Sequence, residues 1–201
     1  MIRGMAGLVW LGLLGGLLGT SCSTPGVEEM RRFEFSRPEM GLPFRMVLYA
    51  ADQATAEAAA AAAFGRVREL NDLFTDYDSD SELSRLSQDS GRGSVTKVSA
   101  EMWEVLSRAQ VLAERTDGAF DVTVGPYVNL WRKARRDRAL PTAERLERAN
   151  AAVGYRKLML DRRARTVELL VPEMRLDLGG IAKGYAIDAA QIGRASCRER
   201  V

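Results

Sequence analysis

The segment from Asp177 to Tyr185 has the residue types and the spacing of a phosphate-binding turn. The stretch Met174 to Leu178 predicts a short strand, two glycines follow it, and a helix is predicted directly after them. Such an arrangement directs free backbone N–H groups and the positive end of the helix dipole at an anion. Lys183 adds a cation in the first helical turn, where the dipole does not favour it. Asp177 stands where it could meet a sugar hydroxyl, so the residues predict a phosphorylated ligand.

This glycine turn differs from two well-known nucleotide-binding patterns. It lacks the spacing and the following Ser or Thr of a P-loop. It is also not the G-x-G-x-x-G fingerprint of dinucleotide-binding folds. The residues by themselves therefore predict the chemical class of the ligand and no particular ligand.

A second segment, Thr116 to Pro126, presents Phe120 and Asp121 just after a turn at Gly118. Small residues there allow the backbone to approach a ligand closely. Asp121 could accept hydrogen bonds from amide or hydroxyl groups of a ligand. The alternative is a tight turn in which Asp121 caps backbone amides, and the local pattern favours this simpler interpretation.

A third segment, Phe74 to Ser84, is rich in small polar residues and follows a predicted helix. Tyr77 within it could stack on a flat ligand ring. The simpler interpretation is a helix end and a capped turn, with Ser81 and Ser84 beginning a short helix. This segment alone does not distinguish the two.

The elements that must position these segments are mixed strands and helices that do not alternate regularly. This order predicts an α+β fold, with a mixed or antiparallel sheet packed against helices. The predicted strands are Arg32 to Phe35, Phe44 to Tyr49, Lys157 to Asp161, Thr166 to Val171 and Arg175 to Leu178. The predicted helices are Asp52 to Phe74, Ser99 to Asp117 and Pro141 to Ala151. Pro38, Gly41 and Pro43 predict a turn or loop between the first two strands, and Arg132 to Arg138 is a polar segment with no element assigned.

Two of these helices show an apolar face at helical spacing. The first face consists of Ala60, Phe64, Val67, Leu70 and Phe74. The second consists of Met102, Val105, Leu106, Ala109, Leu112 and Ala113, behind a predicted N-cap at Ser99. Both faces are expected to be buried.

Composition limits the chemistry more than it defines it. The 201 residues are 46% hydrophobic and 28% charged, which is typical of a globular protein and argues against general disorder. The sequence contains no His, so any chemistry in this chain relies on carboxylates, Lys, hydroxyls or backbone groups. The net charge of +2 gives no support for nucleic-acid binding.

Residues 1–21 have the pattern of an export signal, with Arg3 before an apolar run. The following Gly19-Thr20-Ser21-Cys22 resembles a bacterial lipobox, although Gly19 stands where an aliphatic residue is usual. On this interpretation Cys22 carries a lipid that holds the protein on a membrane, and residues 22–32 form a tether. The alternative is an ordinary secretory signal with a Cys nearby.

Residues 192–201 are interpreted as a non-native tail. They match the in-frame translation of a sequencing adapter and show no periodicity that continues the preceding segment; the alternative is a genuine basic tail. Without this tail, which holds three Arg and one Glu, and without Arg3, the formal charge falls from +2 to −1. The basic pI therefore indicates no partner, and Cys197 is not proposed as a disulfide partner of Cys22.

Four segments together resemble the FAD:protein FMN transferase (ApbE-like) family. They are Met40-Gly41, Tyr77 to Ser84, Gly118 to Trp131, and Asp177 to Tyr185. The resemblance covers residues 33–191, which it identifies as the N-terminal part of a flavin transferase domain. Leu42 departs from the Thr that commonly follows Met-Gly in the family.

The resemblance implies transfer of the FMN half of FAD onto a Thr side chain of a target flavoprotein, with release of AMP and help from Mg²⁺. It implies that the FAD site is lined by Met40, Tyr77, Ala119, Phe120, Asp121, Asp177 and Lys183. It also implies that the Gly180 carbonyl is one ligand of Mg²⁺. No catalytic base is identified, and further metal ligands are expected beyond this sequence, so we expect the 201-residue chain to be inactive.

The implied partners are FAD and an acceptor subunit of a respiratory redox complex. The implied location is the bacterial cell envelope, with a lipid anchor and the domain facing the periplasm or exterior. Alternatives are a non-catalytic FAD-binding envelope lipoprotein, an FAD pyrophosphatase and a structural envelope lipoprotein.

Overall fold

The computed structural model describes the backbone of residues 29–198 and the side-chain surroundings of residues 29–191. The predicted signal, the lipidation residue Cys22 and the first part of the predicted tether lie outside the described residues. Within them no helix is both long enough and apolar enough to span a bilayer.

The elements confirm the predicted α+β class, with two small antiparallel sheets packed against helices. The strands are β1 Arg31–Glu39, β2 Leu42–Ala50, β3 Thr96–Lys97, β4 Leu158–Asp161 and β5 Thr166–Leu169. The helices are α1 Gln53–Phe74, α2 Glu82–Gln88, α3 Ala100–Arg115, α4 Gly125–Asp137, α5 Ala143–Ala151 and α6 Ala182–Arg198. The strands pair as β1-β2 and as β3-β5-β4.

The first sheet is a hairpin whose two-residue turn is Met40 and Gly41. Both have positive φ, 49° and 73°, as a primed hairpin turn requires. The predicted loop was too long, because Pro38 and Pro43 face each other as paired residues within the strands. A two-stranded sheet leaves edge positions where proline costs no hydrogen bond. The first strand also begins at Arg31, inside the predicted tether.

The long helices form because caps and apolar faces agree. The side chains of Asp52, Ser81, Ser99 and Thr142 each accept a hydrogen bond from a backbone N–H in the first turn of the helix that follows. The predicted face of α1 is buried throughout. That of α3 is buried except for Leu112, which is 37% exposed because it lies at the margin of the face.

Two hydrophobic clusters hold the layers together. The larger joins α1, α2, α3, the second sheet and α6, and it includes the buried side chains of Met174, Leu176 and Leu178. The smaller lies between the first hairpin and the start of α1. The N-terminal end of α3 is also tied to α2, because the Glu82 carboxylate accepts hydrogen bonds from the backbone N–H and the hydroxyl of Ser99, at 2.6 and 2.7 Å.

The structure differs from the sequence analysis at three places. Residues 132–137, to which no element was assigned, belong to helix α4, whose run of arginines carries no apolar stripe, and Arg138 is its C-cap. Arg175 to Leu178 is not a strand, since only Arg175 forms an isolated parallel bridge, with Val124; the alternating burial of Met174, Leu176 and Leu178 imitates strand periodicity. The helical backbone of α6 runs on to Arg198, so residues 192–198 do continue the preceding element.

Candidate functional site

Arg132, on the second turn of α4, joins two of the three segments with predicted chemistry. Its guanidinium carbon lies 4.6 Å from the centre of the Tyr77 ring, a cation–π geometry. The same guanidinium forms an ion pair with Asp76 and lies 3.5 Å from Asp177 Oδ2. The loop after α1 and the segment before α6 are therefore held at one place by a side chain that the sequence motifs did not identify.

The environment of Arg132 keeps it charged. Partial burial lowers the pKa of this guanidinium, but the hydrogen bond and the negative charge of Asp76, together with Asp177, more than offset the burial and raise the pKa above its ordinary value. An arginine is protonated at any physiological pH. Arg132 therefore carries its positive charge throughout the physiological pH range.

Asp177 begins a tight turn that leads into α6. Its Oδ1 accepts a hydrogen bond from the Gly179 N–H at 2.8 Å. Its own N–H donates to the Val122 carbonyl at 2.8 Å. The Leu178 carbonyl then accepts from the N–H groups of Ile181 and Ala182, which closes the turn. Asp177 is thus fixed on both sides, with its carboxylate shared between the turn and Arg132.

Two residues of this turn, Gly180 and Lys183, are accessible to solvent. Gly180 is exposed, and within the described part of the chain neither its N–H nor the Lys183 N–H donates to a protein acceptor. The Lys183 ammonium donates to the Gly179 carbonyl at 3.2 Å, which keeps its charge beside the turn. Free N–H groups and a cation at a helix N-terminus are what an anionic ligand requires.

The segment Thr116 to Pro126 packs against the same turn. A Cβ atom at Gly180 would lie 3.1 Å from Phe120 Cε2, so the Phe120 ring lies directly over Gly180. Ala119, beside it, is exposed, and its N–H donates to the Thr116 carbonyl at 3.1 Å. A side chain at Gly180 would crowd the Phe120 ring.

Asp121 holds its own loop together. Its Oδ1 accepts from the N–H and the hydroxyl of Thr123, both at 2.7 Å, and the Thr123 hydroxyl in turn accepts from the Gly154 N–H at 2.8 Å. This is the capped turn that the simpler interpretation predicted. Asp121 Oδ2 has no protein partner among the described residues, so Asp121 keeps one oxygen for a ligand.

Met40 is the predicted site residue that the structure does not join to the others. It occupies the tip of the first hairpin, half-buried against the larger core. The neighbouring Glu39 forms an ion pair of 3.4 Å with Arg68 of α1. None of the described hydrogen bonds or ion pairs connects this hairpin tip with Tyr77, Asp121 or Asp177.

Tyr185 of the glycine-turn motif has a structural role. Its hydroxyl donates to Glu104 of α3 at 3.0 Å, and its ring meets Phe74 edge-on at 5.7 Å. Partial burial, followed by the hydrogen bond to Glu104, raises the pKa of Tyr185 to about 12. Tyr185 therefore remains a neutral hydrogen-bond donor that fastens α6 to α3.

The described residues do not build a metal site by themselves. No three His, Cys, Asp or Glu side chains among them come together in a way that could hold a metal ion. The predicted ligand, the Gly180 carbonyl, is exposed at the turn, but one carbonyl falls well short of the roughly six oxygens that Mg²⁺ requires. The metal prediction thus has one candidate ligand here and no complete coordination sphere.

The chain is similar to proteins named FAD:protein FMN transferase. The one from Haemophilus influenzae is 38% identical over 126 residues, which are 61% of this chain and 36% of the relative. The one from Klebsiella pneumoniae is 32% identical over 162 residues, 81% of this chain and 50% of the relative. This chain therefore spans between about a third and a half of the length of these curated relatives.

Solved structures give the same result. The flavin transferase ApbE from Vibrio cholerae superposes with a TM-score of 0.73 at 29% identity, over 84% of this chain and 54% of that structure. The ApbE protein from Thermotoga maritima gives a TM-score of 0.71 at 28% identity, over 80% and 51%. The sequence pattern of the ApbE family matches residues 40–194, a range that contains every segment of the site described above, and this chain belongs to that family.

Proposed function

We propose that this chain supplies the FAD-binding part of an enzyme that transfers FMN from FAD to a threonine of a target flavoprotein and releases AMP. The observation that carries the proposal is the meeting of Tyr77, Asp177 and the Gly180 turn around Arg132. This arrangement provides an aromatic surface, a carboxylate and an anion-binding turn in one place. Those are the groups needed for a ring, a ribityl or ribose hydroxyl, and a diphosphate.

Each of these residues has a binding task that its surroundings suit. The Tyr77 ring is 81% exposed and is held from one side by Arg132, so its free side can stack on a ring of FAD. The N–H groups of Gly180 and Lys183, with the Lys183 ammonium, would donate to diphosphate oxygens. Asp177 and the free oxygen of Asp121 would accept hydrogen bonds from ligand hydroxyl or amide groups.

The proposed reaction breaks the phosphoanhydride bond of FAD and forms a phosphoester bond to threonine. The threonine hydroxyl oxygen attacks the phosphorus on the FMN side of the FAD diphosphate, the P–O bond to the AMP phosphate breaks, and AMP leaves with the bonding electrons. The hydroxyl proton passes to a base that the described residues do not identify. Lys183 and the turn N–H groups would stabilise the negative charge on the transferred phosphoryl group.

The implied Mg²⁺, the anchor and the acceptor are part of the proposal. Bound Mg²⁺ would neutralise the diphosphate. Because the described residues lack a complete metal site, we expect the 201-residue chain to bind FAD without releasing AMP. A lipid on Cys22 would place the domain at the bacterial envelope, beside an acceptor subunit of a respiratory redox complex.

Titration of FAD against the chain, followed by flavin fluorescence, tests the binding part. Tyr77→Ala should weaken FAD binding by about tenfold or more, because stacking on an aromatic ring is lost. Val95→Ala, which also shortens an exposed apolar side chain but lies outside the site, is the matched control. Equal affinities for the wild type and Tyr77→Ala would contradict the proposed site.

Incubation with FAD, Mg²⁺ and a threonine-containing acceptor tests the chemistry. The 201-residue chain is expected to release no AMP, whereas a longer product that also supplies the remaining metal ligands is expected to release AMP and flavinylate the acceptor. AMP release with free FMN would identify a pyrophosphatase, and FAD binding by the longer product without AMP would identify a carrier. AMP release by the 201-residue chain would disprove the expected inactivity.

A further inference from the structure

A groove with a volume of about 490 Å³ lies between α4, α5 and the segment 173–175. It is distinct from the candidate flavin site. Arg132 points from α4 toward Tyr77, whereas Lys133 and Leu130 line the groove from another side of the same helix. Neither the sequence motifs nor the proposed FAD contacts use this groove.

The walls of the groove are fixed by specific contacts. The Tyr127 hydroxyl of α4 donates to Asn150 Oδ1 of α5 at 3.1 Å. Val124 forms a parallel bridge with Arg175, and a Cβ atom at Gly125 would lie only 2.5 Å from the Arg175 carbonyl oxygen. These contacts hold the three walls of the groove next to one another.

The floor of the groove is apolar and its rim is basic. The apolar residues are Pro126, Leu130, Ala149 and Ala152. The basic residues are Lys133, Arg145, Arg148 and Arg175. Among the described residues, Glu173 is the one acidic side chain that lines this groove.

Few of these positive charges are neutralised within the protein. Arg148 lies 3.5 Å from the exposed Glu144, and among the described residues no carboxylate lies within 4 Å of Lys133, Arg145 or Arg175. Like charges that surround one concavity repel each other. A bound group of opposite charge would reduce that repulsion.

The positive charge is concentrated locally. The whole sequence is nearly balanced, with 29 basic and 27 acidic residues, but residues 132–148 contain seven Arg or Lys and three Asp or Glu. Arg132 is occupied by the flavin-site carboxylates, and Lys133, Arg145 and Arg148 surround the groove. Three of the seven basic residues of this segment therefore line the groove, where Arg175 adds a fourth cation.

We propose that the groove binds an acidic segment of a partner protein that also carries apolar side chains. A free phosphate would use the rim but not the apolar floor, and a flat bilayer surface cannot enter a concavity. An extended segment with alternating acidic and apolar side chains can place acidic groups at the basic rim and apolar groups on the floor. The identity of the partner rests on the proposed function: if that function holds, the partner is the flavin acceptor, because α4 carries both the groove and Arg132.

The test is fluorescence anisotropy with a fluorescein-labelled peptide in which Asp and Leu alternate. The charge-reversal variant Lys133→Glu/Arg145→Glu should lose about tenfold or more in affinity. The matched control, Arg162→Glu/Arg163→Glu, makes the same charge change at the β4–β5 turn and should stay within about twofold of the wild type. A peptide in which Asp and Gly alternate should bind more weakly, since it cannot use the floor. Thermal unfolding of each variant checks that the fold is intact.

The proposal is overturned if both variants weaken the peptide equally, if the Asp–Gly peptide binds as well, or if only anionic phospholipid vesicles bind in a groove-dependent manner. FAD binding is measured on the same samples. Peptide binding without FAD binding would reject the proposed function and support the peptide-binding groove. FAD binding without groove-dependent peptide binding would support the proposed function and reject the peptide-binding groove.

Discussion

Arg132 organises the candidate site through its planar, charged side chain rather than through bulk. Replacing it with Ala should free Tyr77 and leave Asp76 and Asp177 without their counter-ion. We expect Arg132→Ala to weaken FAD binding by about tenfold, as measured by flavin fluorescence titration. Arg132→Lys keeps the positive charge but lacks the planar guanidinium, so its FAD affinity should lie between those of the wild type and Arg132→Ala.

Arg135→Ala provides the control for this prediction, because it removes an exposed arginine from the same helix, outside the described ion pairs. The unfolding midpoint of each variant separates loss of fold from loss of site. If Arg132→Ala binds FAD with the affinity of the wild type, the positioning role assigned to Arg132 is wrong.

The individual site residues were predictable to different degrees. Tyr77, Phe120 and Asp177 stand in short segments that resemble the family motifs, so they could be proposed as candidates without the fold. Arg132 could not, because in sequence it is one of several arginines in a polar run and only its contacts distinguish it from Arg135. The preceding Gly125-Pro126 pair, with proline in the first helical turn, was the available signal that this run is helical.

Two helical glycines differ in how closely other atoms approach them. A Cβ atom added at Gly65 of α1 would have no neighbouring atom within 4 Å, whereas one added at Gly125 of α4 would lie 2.5 Å from the Arg175 carbonyl oxygen. Gly65→Ala should stabilise the fold by about 0.5–1 kcal/mol, since alanine has the higher helix propensity. Gly125→Ala should destabilise it by about 1–3 kcal/mol through overpacking against backbone.

Chemical denaturation of the two variants measures both changes in the free energy of unfolding. The pair is matched, since each variant adds one methyl group to a helical glycine. Equal effects of the two substitutions would mean that the packing of α4 against Arg175 does not constrain the fold.

Helices with strong caps and apolar faces were predictable, and α4 was not. Helices α1 and α3 have an N-cap and a continuous buried stripe, so local and tertiary preferences agree. In α4 only Gly125 is buried and no side chain caps the N-terminus, so periodicity gives no signal. The prediction of a strand at Arg175 to Leu178 was wrong for a different reason. The side chains there alternate between buried and more exposed, as in a strand, but no neighbouring strand in the described part of the chain pairs with them.

The stability of the whole chain should respond to acid through the contact between α1 and α3. Arg66 lies 2.8 Å from Glu101, and this hydrogen bond lowers the pKa of Glu101 below its ordinary value of 4.5. A carboxylate whose pKa is lower in the folded state than in the unfolded state stabilises the fold. This stabilisation is complete at a pH above the unfolded-state pKa and is lost as the pH falls through the folded-state pKa.

Glu101→Gln should therefore reduce the free energy of unfolding by about 0.5–1 kcal/mol at neutral pH, a small value because both side chains are about one-third exposed. The difference from the wild type should shrink steadily below the ordinary carboxylate pKa. Urea denaturation across that pH range, with the exposed Glu147→Gln as control, measures it. A difference that persists unchanged in acid would show that the ion pair is not its source.

Helix α4 contributes to two surfaces that differ in net charge. Around the candidate flavin site, the carboxylates of Asp76, Asp121 and Asp177 slightly outnumber Arg132 and Lys183. If FAD binds there, its diphosphate gains no long-range attraction and is recognised only at contact. The groove on the other side of the helix carries excess positive charge, so an acidic segment is drawn to it from a distance at low salt. If both proposals hold, an acidic partner is therefore captured quickly and in a salt-dependent way, whereas the nucleotide reaches its site by unassisted diffusion.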